Sequence, residues 1–199
     1  MKIETSSTGA SETPGEWLVV YVAEGSDTPK LKGALGDRIE QLRKQGDFDG
    51  KRGESLPLYE SLGTAAQRIL LVGLGKNDPM VATAIARATG TAIRTISKKG
   101  ASTVVLAPVG ASASVNAESA VAAQVTGAII GEGTQEIFRT IKKSKPLATL
   151  ILPESPSEEN IAHALTIARG VRWAAELVNL TPEDIYPESF CQRSIDESA

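Results

Sequence analysis

The chain has 199 residues, 41% of them hydrophobic and 23% charged, with a formal net charge of -3. That is enough apolar material for one α/β domain and some extra, and the well-mixed charge argues against disorder. The acidic balance gives no electrostatic reason to expect nucleic acid or an anionic membrane as the main partner.

The single cysteine, Cys191, excludes an internal disulfide, and the single histidine, His163, excludes a His-rich metal site. No run reaches the roughly 18 apolar residues of a membrane span. The start, Met1 to Pro14, is polar and lacks the apolar region of a signal peptide. A soluble protein of a reducing compartment is the expectation. With aromatics at 4%, its core must be built from Ala, Val, Ile and Leu.

Residues Met1 to Gly15 read as a loose leader that contributes at most a first edge strand. Trp17 to Ala23 is a strand rich in β-branched residues. Pro29 to Gln45 has helical spacing: Leu31, Leu35, Ile39 and Leu42 share one stripe, and Gly46 follows as a stop. Asp47 to Gly53 is a polar turn. Ser55 to Ser61 reads as a short strand, placed at an edge by Pro57.

Ile69 to Val72 is an unbroken apolar run, too short for a helix. A strand with one wet face would alternate, so this one is buried on both faces. The expectation is the central strand of the sheet. Gly73 and Gly75 then suggest a sharp turn, and Asp78-Pro79 a helix start. Met80 to Lys98 repeats Val81, Ile85, Ala88, Ala92 and Ile96 at helical spacing, and Lys98-Lys99-Gly100 ends it. Thr103 to Ala107 is another buried strand. Ala117 to Ile130 is an Ala-rich helix expected to pack closely on the sheet, and Leu147 to Leu152 is the last strand. Alternating strands and helices predict a largely parallel sheet covered on both faces.

Composition changes at Pro153 to Ser157, a linker-like stretch. Ser157 caps a long helix with Glu158-Glu159 in its first turn. Its apolar stripe runs through Ile161, Ala164, Leu165, Ala168, Val171, Ala175 and Val178. Asn179 to Pro187 is irregular, and Pro187 to Ala199 begins another helix.

Several stretches invite a chemical reading. Gly73-Leu-Gly75-Lys76 lies between a strand and a helix, where backbone donors and the helix dipole hold anions. The full patterns are absent: Asn77 replaces the Ser or Thr of a P-loop, and Asp78 replaces the third dinucleotide glycine. A tight turn is the plainer reading. Gly127, Gly131 and Gly133 end a helix and permit close packing without a ligand. Arg139, Lys142, Lys143 and Lys145 form a small basic run, poor in aromatics, that reads as a solvated edge. His163 lacks a neighbouring Cys or second His, and Cys191 lacks a base near it in sequence. Glu158-Glu159 and Glu183-Asp184 are explained by helix starts and turns. No complete active site assembles, so no catalytic, cofactor-binding or metal residue is assigned.

Three stretches carry a family likeness. They are Arg68-Ile-Leu-Leu-Val-Gly-Leu-Gly-Lys76, Lys142-Lys143-Ser144-Lys145, and Ala174-Ala-Glu-Leu-Val-Asn-Leu-Thr-Pro-Glu-Asp-Ile-Tyr-Pro-Glu-Ser-Phe190. In this order the chain resembles the N-terminal part of the leucyl aminopeptidases, the M17 family of two-metal exopeptidases. The third stretch is the most specific, through its Leu-Val-Asn and Tyr-Pro-Glu-Ser-Phe ends. Thr181 stands where the family usually has Pro, and Glu183 where it often has a second Asn.

The resemblance implies a macro-domain-like three-layer α/β sandwich with a mostly parallel mixed sheet over residues 1–153. Residues 154–199 would be a long linker helix and the truncated start of a catalytic domain. It also implies a cytoplasmic, hexameric parent enzyme that removes N-terminal residues, often Leu, from peptides with two divalent cations, Mn or Zn. The family's metal ligands and its Asn-Thr-Asp-Ala-Glu-Gly-Arg motif do not occur in these residues. This chain would then serve assembly and access control, without activity of its own. The alternative is a macro-like module binding ADP-ribose or a related nucleotide through Gly73 to Asp78 and Gly131 to Thr134, although no Asn-Ala-Ala-Asn-type segment is visible. A DNA-contacting role through Arg139 to Lys145 is weakened by the acidic balance.

Overall fold

The computed structural model describes residues 1–25, 33–76, 82–109, 115–132, 140, 145–154 and 156–198. The elements are β1 (Lys2–Thr5), β2 (Gly15–Glu24), α1 (Ala34–Gln45), β3 (Ser55–Leu58), β4 (Ala66–Lys76), α2 (Ala82–Ser97), β5 (Thr103–Leu106), α3 (Ala117–Glu132), β6 (Thr149–Leu152), α4 (Glu158–Val178) and α5 (Pro187–Ser198). The strands form one sheet in the order β1-β6-β5-β2-β4-β3. All neighbours run parallel except β3, which is antiparallel to β4.

The burial of both sheet faces follows from the uninterrupted apolar runs. In β2, Trp17, Val19 and Tyr21 join a cluster with α2 and α3, whereas Leu18, Val20 and Val22 join a cluster with α1 and Phe48. In β4, Leu70 and Val72 face the first cluster and Ile69 and Leu71 the second. The result is the expected three-layer α/β arrangement. Each such side chain contributes about 1.5–3 kcal/mol over an exposed one.

The helix stripe of α1 is borne out by the buried Leu35, Ile39 and Leu42. Pro29 and Leu31 lie outside the described residues. The helix ends at Gly46, at φ 77°. Its N–H donates to Arg43 O at 3.1 Å, and Asp47 N–H donates to Leu42 O at 3.0 Å. These satisfy carbonyls that the helix end leaves open. β3 lies at the sheet edge, where Pro57 withholds no donor that a further strand would need.

Three expectations need correction. β4 is not the central strand; it sits one place in from the edge, and β2 and β5 are the middle pair. Gly73 and Gly75 do not turn the chain. They continue β4 beside β2, across a register shift between Val22 and Ala23. Gly75 takes φ 81° at this irregularity, which glycine tolerates best. Gly73 is small for another reason. A Cβ there would overlap Lys51 O and stand 2.8 Å from Gly50 O, because the 50–54 loop crosses it backbone to backbone.

The third correction concerns α3, whose closest packing is against α2 rather than the sheet. A Cβ on Gly127 would overlap Ala86 O, and one on Gly131 would lie 2.7 Å from Gly90 O. The glycine spacing therefore does permit close packing, as expected. Asp78-Pro79, the start of the second helix and Gly133 lie outside the described residues.

Ser157 caps α4, its Oγ accepting from Asn160 N–H at 3.2 Å. α4 packs on α3 through Ala164 and Ala168, flanked by Ile161 and Leu165. The second half of its apolar stripe is uncovered: Val171 is 43% and Val178 84% exposed. In α5, Phe190 stands 6.4 Å from the Trp173 ring, but Phe190 and Ile195 are exposed, as is Tyr186 just before the helix.

Candidate functional site

The sheet reverses its growth at β2: the chain goes on to β4 on one side, then returns to place β5 and β6 on the other. In open α/β sheets such a point leaves a crevice at the carboxyl ends of the strands. A cleft of about 450 Å³ lies there, lined by Gly9, Ala10, Ser11, Glu12, Val20, Tyr21, Ala107, Pro108 and Glu154. Four separate segments supply it: the chain after β1, the second half of β2, and the residues just past β5 and β6.

Local hydrogen bonds hold these segments. Buried Thr13 donates through Oγ1 to Gly9 O at 2.9 Å, and Glu12 N–H donates to the same carbonyl at 3.0 Å. Ala65 N–H donates to Ser11 O at 2.8 Å, tying this loop to the start of β4. Ala107 O accepts from Gln124 Nε2 of α3 at 2.8 Å, and Ala107 N–H donates to Val19 O at 2.9 Å. Glu154 holds φ 63°, which few non-glycine residues adopt.

Tyr21 is buried, and its hydroxyl pairs with Thr89 Oγ1 of α2 at 2.7 Å. Thr89 in turn donates to Ile85 O at 2.9 Å, so the tyrosine is the donor in the first bond. Burial is the main cause that pushes the Tyr21 phenol up to about 12. At neutral pH it is a neutral structural donor, not a base. The walls are therefore mostly apolar, with Ala10, Val20 and Ala107 belonging to or packed on the α1-side cluster. Among the described residues of the lining, the charged side chains are Glu12 and Glu154.

The residues singled out in the sequence do not converge. Gly73 N–H donates to Glu54 O at 2.8 Å, and Gly75 N–H donates to Gly50 O at 2.9 Å. Both donors of the supposed phosphate cradle are thus spent inside the protein. Lys76 is exposed and pairs in register with Glu24; Asn77 and Asp78 lie outside the described residues. Gly127 and Gly131 serve the contact between α2 and α3, and Thr134 lies outside the described residues.

Of the basic run, Arg139, Lys142, Lys143 and the adjoining Ser144 also lie outside them. Lys145 is exposed, with its stem against Gly100 and its carbonyl accepting from Ser97 Oγ at 2.7 Å. His163 on α4 and Cys191 on α5 are both exposed. Glu158 and Glu159 occupy the first turn of α4. Asp184 accepts from Thr181 Oγ1 at 2.7 Å within its own turn. Among the described residues, no group of three or more His, Cys, Asp or Glu side chains is placed to hold a metal ion.

At the opposite end of the sheet, the Arg68 guanidinium lies 5.6 Å from the Trp17 ring centre. Lys99 Nζ lies 5.7 Å from that of Tyr59 and donates to its hydroxyl at 3.0 Å. This is a packed and solvated staple around the end of α2. Sequence reasoning missed the cleft with Glu12 and Glu154, since no spacing links four segments so far apart in the chain.

Residues 19–142 match the model of the cytosol aminopeptidase family, N-terminal domain. A probable cytosol aminopeptidase of Nitrosococcus oceani is 31% identical over 180 residues, covering 82% of this chain and 35% of that protein. Another, from Cupriavidus pinatubonensis, is 43% identical over 93 residues, covering 45% of this chain and 18% of that protein. The chain thus spans only about a fifth to a third of these relatives' length.

Among solved structures, a tomato leucine aminopeptidase variant superposes with a TM-score of 0.76 at 23% identity, covering 98% of this chain and 42% of that one. A macrodomain variant of Oceanobacillus iheyensis reaches 0.53 at 12% identity, covering 85% of this chain and 92% of that one. At these identities both speak to the fold, and they agree on its macrodomain-like form. With the family's N-terminal domain matched across most of the sheet and its helices, the chain belongs to the cytosol aminopeptidase family, M17.

Proposed function

We propose that this chain acts as the non-catalytic N-terminal domain of a leucyl aminopeptidase, serving assembly of the enzyme and access to its active site. The observation that carries the reading is the match of residues 19–142 to the family's N-terminal domain, not to a catalytic one. The exposed Val171, Val178, Tyr186 and Phe190 add support, because they form the kind of apolar surface that a neighbouring domain covers. On this reading residues 1–153 are the domain proper, and 154–199 are the linker helix and the beginning of the catalytic part. The parent enzyme would be cytoplasmic and hexameric. Two divalent cations, Mn or Zn, held outside this chain, would polarise the scissile carbonyl and activate water. Its substrates would be peptides with a free N-terminus, often Leu.

The test is hydrolysis of a leucyl p-nitroanilide by the pure chain, with Mn or Zn added. No turnover above the metal-only control is expected. Metal-dependent turnover that co-purifies with the chain would overturn the reading. The macrodomain-like fold keeps ADP-ribose binding as a second reading. Calorimetry with ADP-ribose tests it, and the two carboxylates in the cleft lining speak against a diphosphate there.

A further inference from the structure

We infer that the cleft at the carboxyl ends of β2, β5 and β6 is a binding site for a small amphipathic amine, an apolar body bearing one protonated amino group. Its size, about 450 Å³, falls in the range of about 300–1,000 Å³ typical of ligand sites. Its position is the one where parallel sheets leave such a crevice.

The chemistry follows from the lining. Ala10, Val20, Ala107 and Pro108 offer apolar wall. Of the polar groups beside them, Ala107 O is used by Gln124, Ala107 N–H by Val19 and the Tyr21 hydroxyl by Thr89, while the exposed Ser11 hydroxyl lies next to Glu12. A polar ligand body would find few partners there and would lose those of water. Charge selects the rest. Glu12 and Glu154 are both exposed carboxylates, and neither enters an ion pair among the described residues. Among the described residues of the lining, none is Lys, Arg or His. Two like charges beside one cleft concentrate a cation and repel an anion. A carboxylate or phosphate ligand would meet this field with the wrong sign.

The experiment is an amide-shift titration of the 199-residue chain by nuclear magnetic resonance. The probes are isoamylamine, isoamyl alcohol, isovalerate and ADP-ribose, the first three sharing one apolar body in cationic, neutral and anionic form. Isoamylamine is expected to give saturable shifts confined to Gly9–Glu12, Tyr21, Ala107 and Glu154. Two exposed ion pairs correspond to about a ten-fold preference over the alcohol, with isovalerate weaker still. Glu12→Gln combined with Glu154→Gln should erase that preference without unfolding the chain, since both side chains are exposed. Isovalerate or ADP-ribose binding as tightly as the amine would overturn the proposal. So would amine shifts elsewhere, an absence of shifts, or an undiminished preference in the double variant. None of these readouts involves hydrolysis, so the peptidase reading stands or falls separately.

Discussion

Gly127→Ala sets two effects of known sign against each other. Alanine is the better helix former by about 1 kcal/mol, and Gly127 is inside α3, so propensity alone predicts stabilisation. The structure predicts the opposite. The added Cβ would overlap Ala86 O and stand 2.9 Å from Ala86 Cα, all backbone atoms of α2 that no side-chain rotation can move. The two helices must separate, loosening Ile85, Ala88, Val125 and Ala128 between them. Overpacking of this kind costs about 1–3 kcal/mol, and a backbone clash belongs at the upper end. The net expectation is a loss of about 2 kcal/mol, which lowers Tm by about 4–8 °C for a chain of this size. Two glycines act as internal controls. Gly170 lies on an exposed part of α4 with nothing within 4 Å of an added Cβ, so Gly170→Ala should stabilise by about 1 kcal/mol. Gly90 is intermediate, its Cβ reaching 3.2 Å from Gly127 O, and its substitution should be nearly neutral. Urea unfolding of the three variants gives the ranking. A Gly127→Ala protein as stable as the parent would refute the account of the contact between α2 and α3.

Gly73→Ala should push the 50–54 loop off β4, costing more than about 2 kcal/mol through the clash and the bonds at Gly73 and Gly75; hydrogen exchange at those two amides should rise, and unchanged protection would contradict it. Tyr21 titrates near 12 in the folded chain against 10.0 for an ordinary phenol. Its folded value is raised, so the stabilisation is complete below pH 10 and is lost as pH climbs toward 12. That amounts to about 2–3 kcal/mol, and the loss should be smaller by that amount in Tyr21→Phe when both proteins are unfolded across the window. Amides of Asn179–Ser198 should exchange faster than those of α2, since Tyr186 and Phe190 are exposed; strong protection in a monomer would count against the uncovered-surface reading.

Much of the local architecture was written in the sequence. The β-branched run Trp17–Ala23 read as a strand and forms one, and the unbroken run Ile69–Val72 demanded burial on both faces and is buried. Leu35, Ile39 and Leu42 at helical spacing, Gly46 as a stop, Pro57 at an edge and Ser157 as a cap all occupy the places their chemistry requires. Each of these depends on backbone geometry and burial period over a few residues, which neighbouring side chains encode directly. The family likeness was legible in the same way, through short ordered stretches.

Other features were decided only when distant segments met. Nothing in Ile69–Val72 says that β2 rather than β4 lies between the two halves of the sheet, because an apolar run specifies burial and not a partner. Gly73 looks like a turn residue until the 50–54 loop is seen crossing it, and the spacing of Gly127 and Gly131 permits close packing without saying that α2 is the partner. The cleft draws Glu12, Val20, Ala107 and Glu154 from four stretches, so no local spacing announces it. Strand order and close backbone approach are settled by long-range closure and packing, a competition among whole arrangements that no short window of sequence contains.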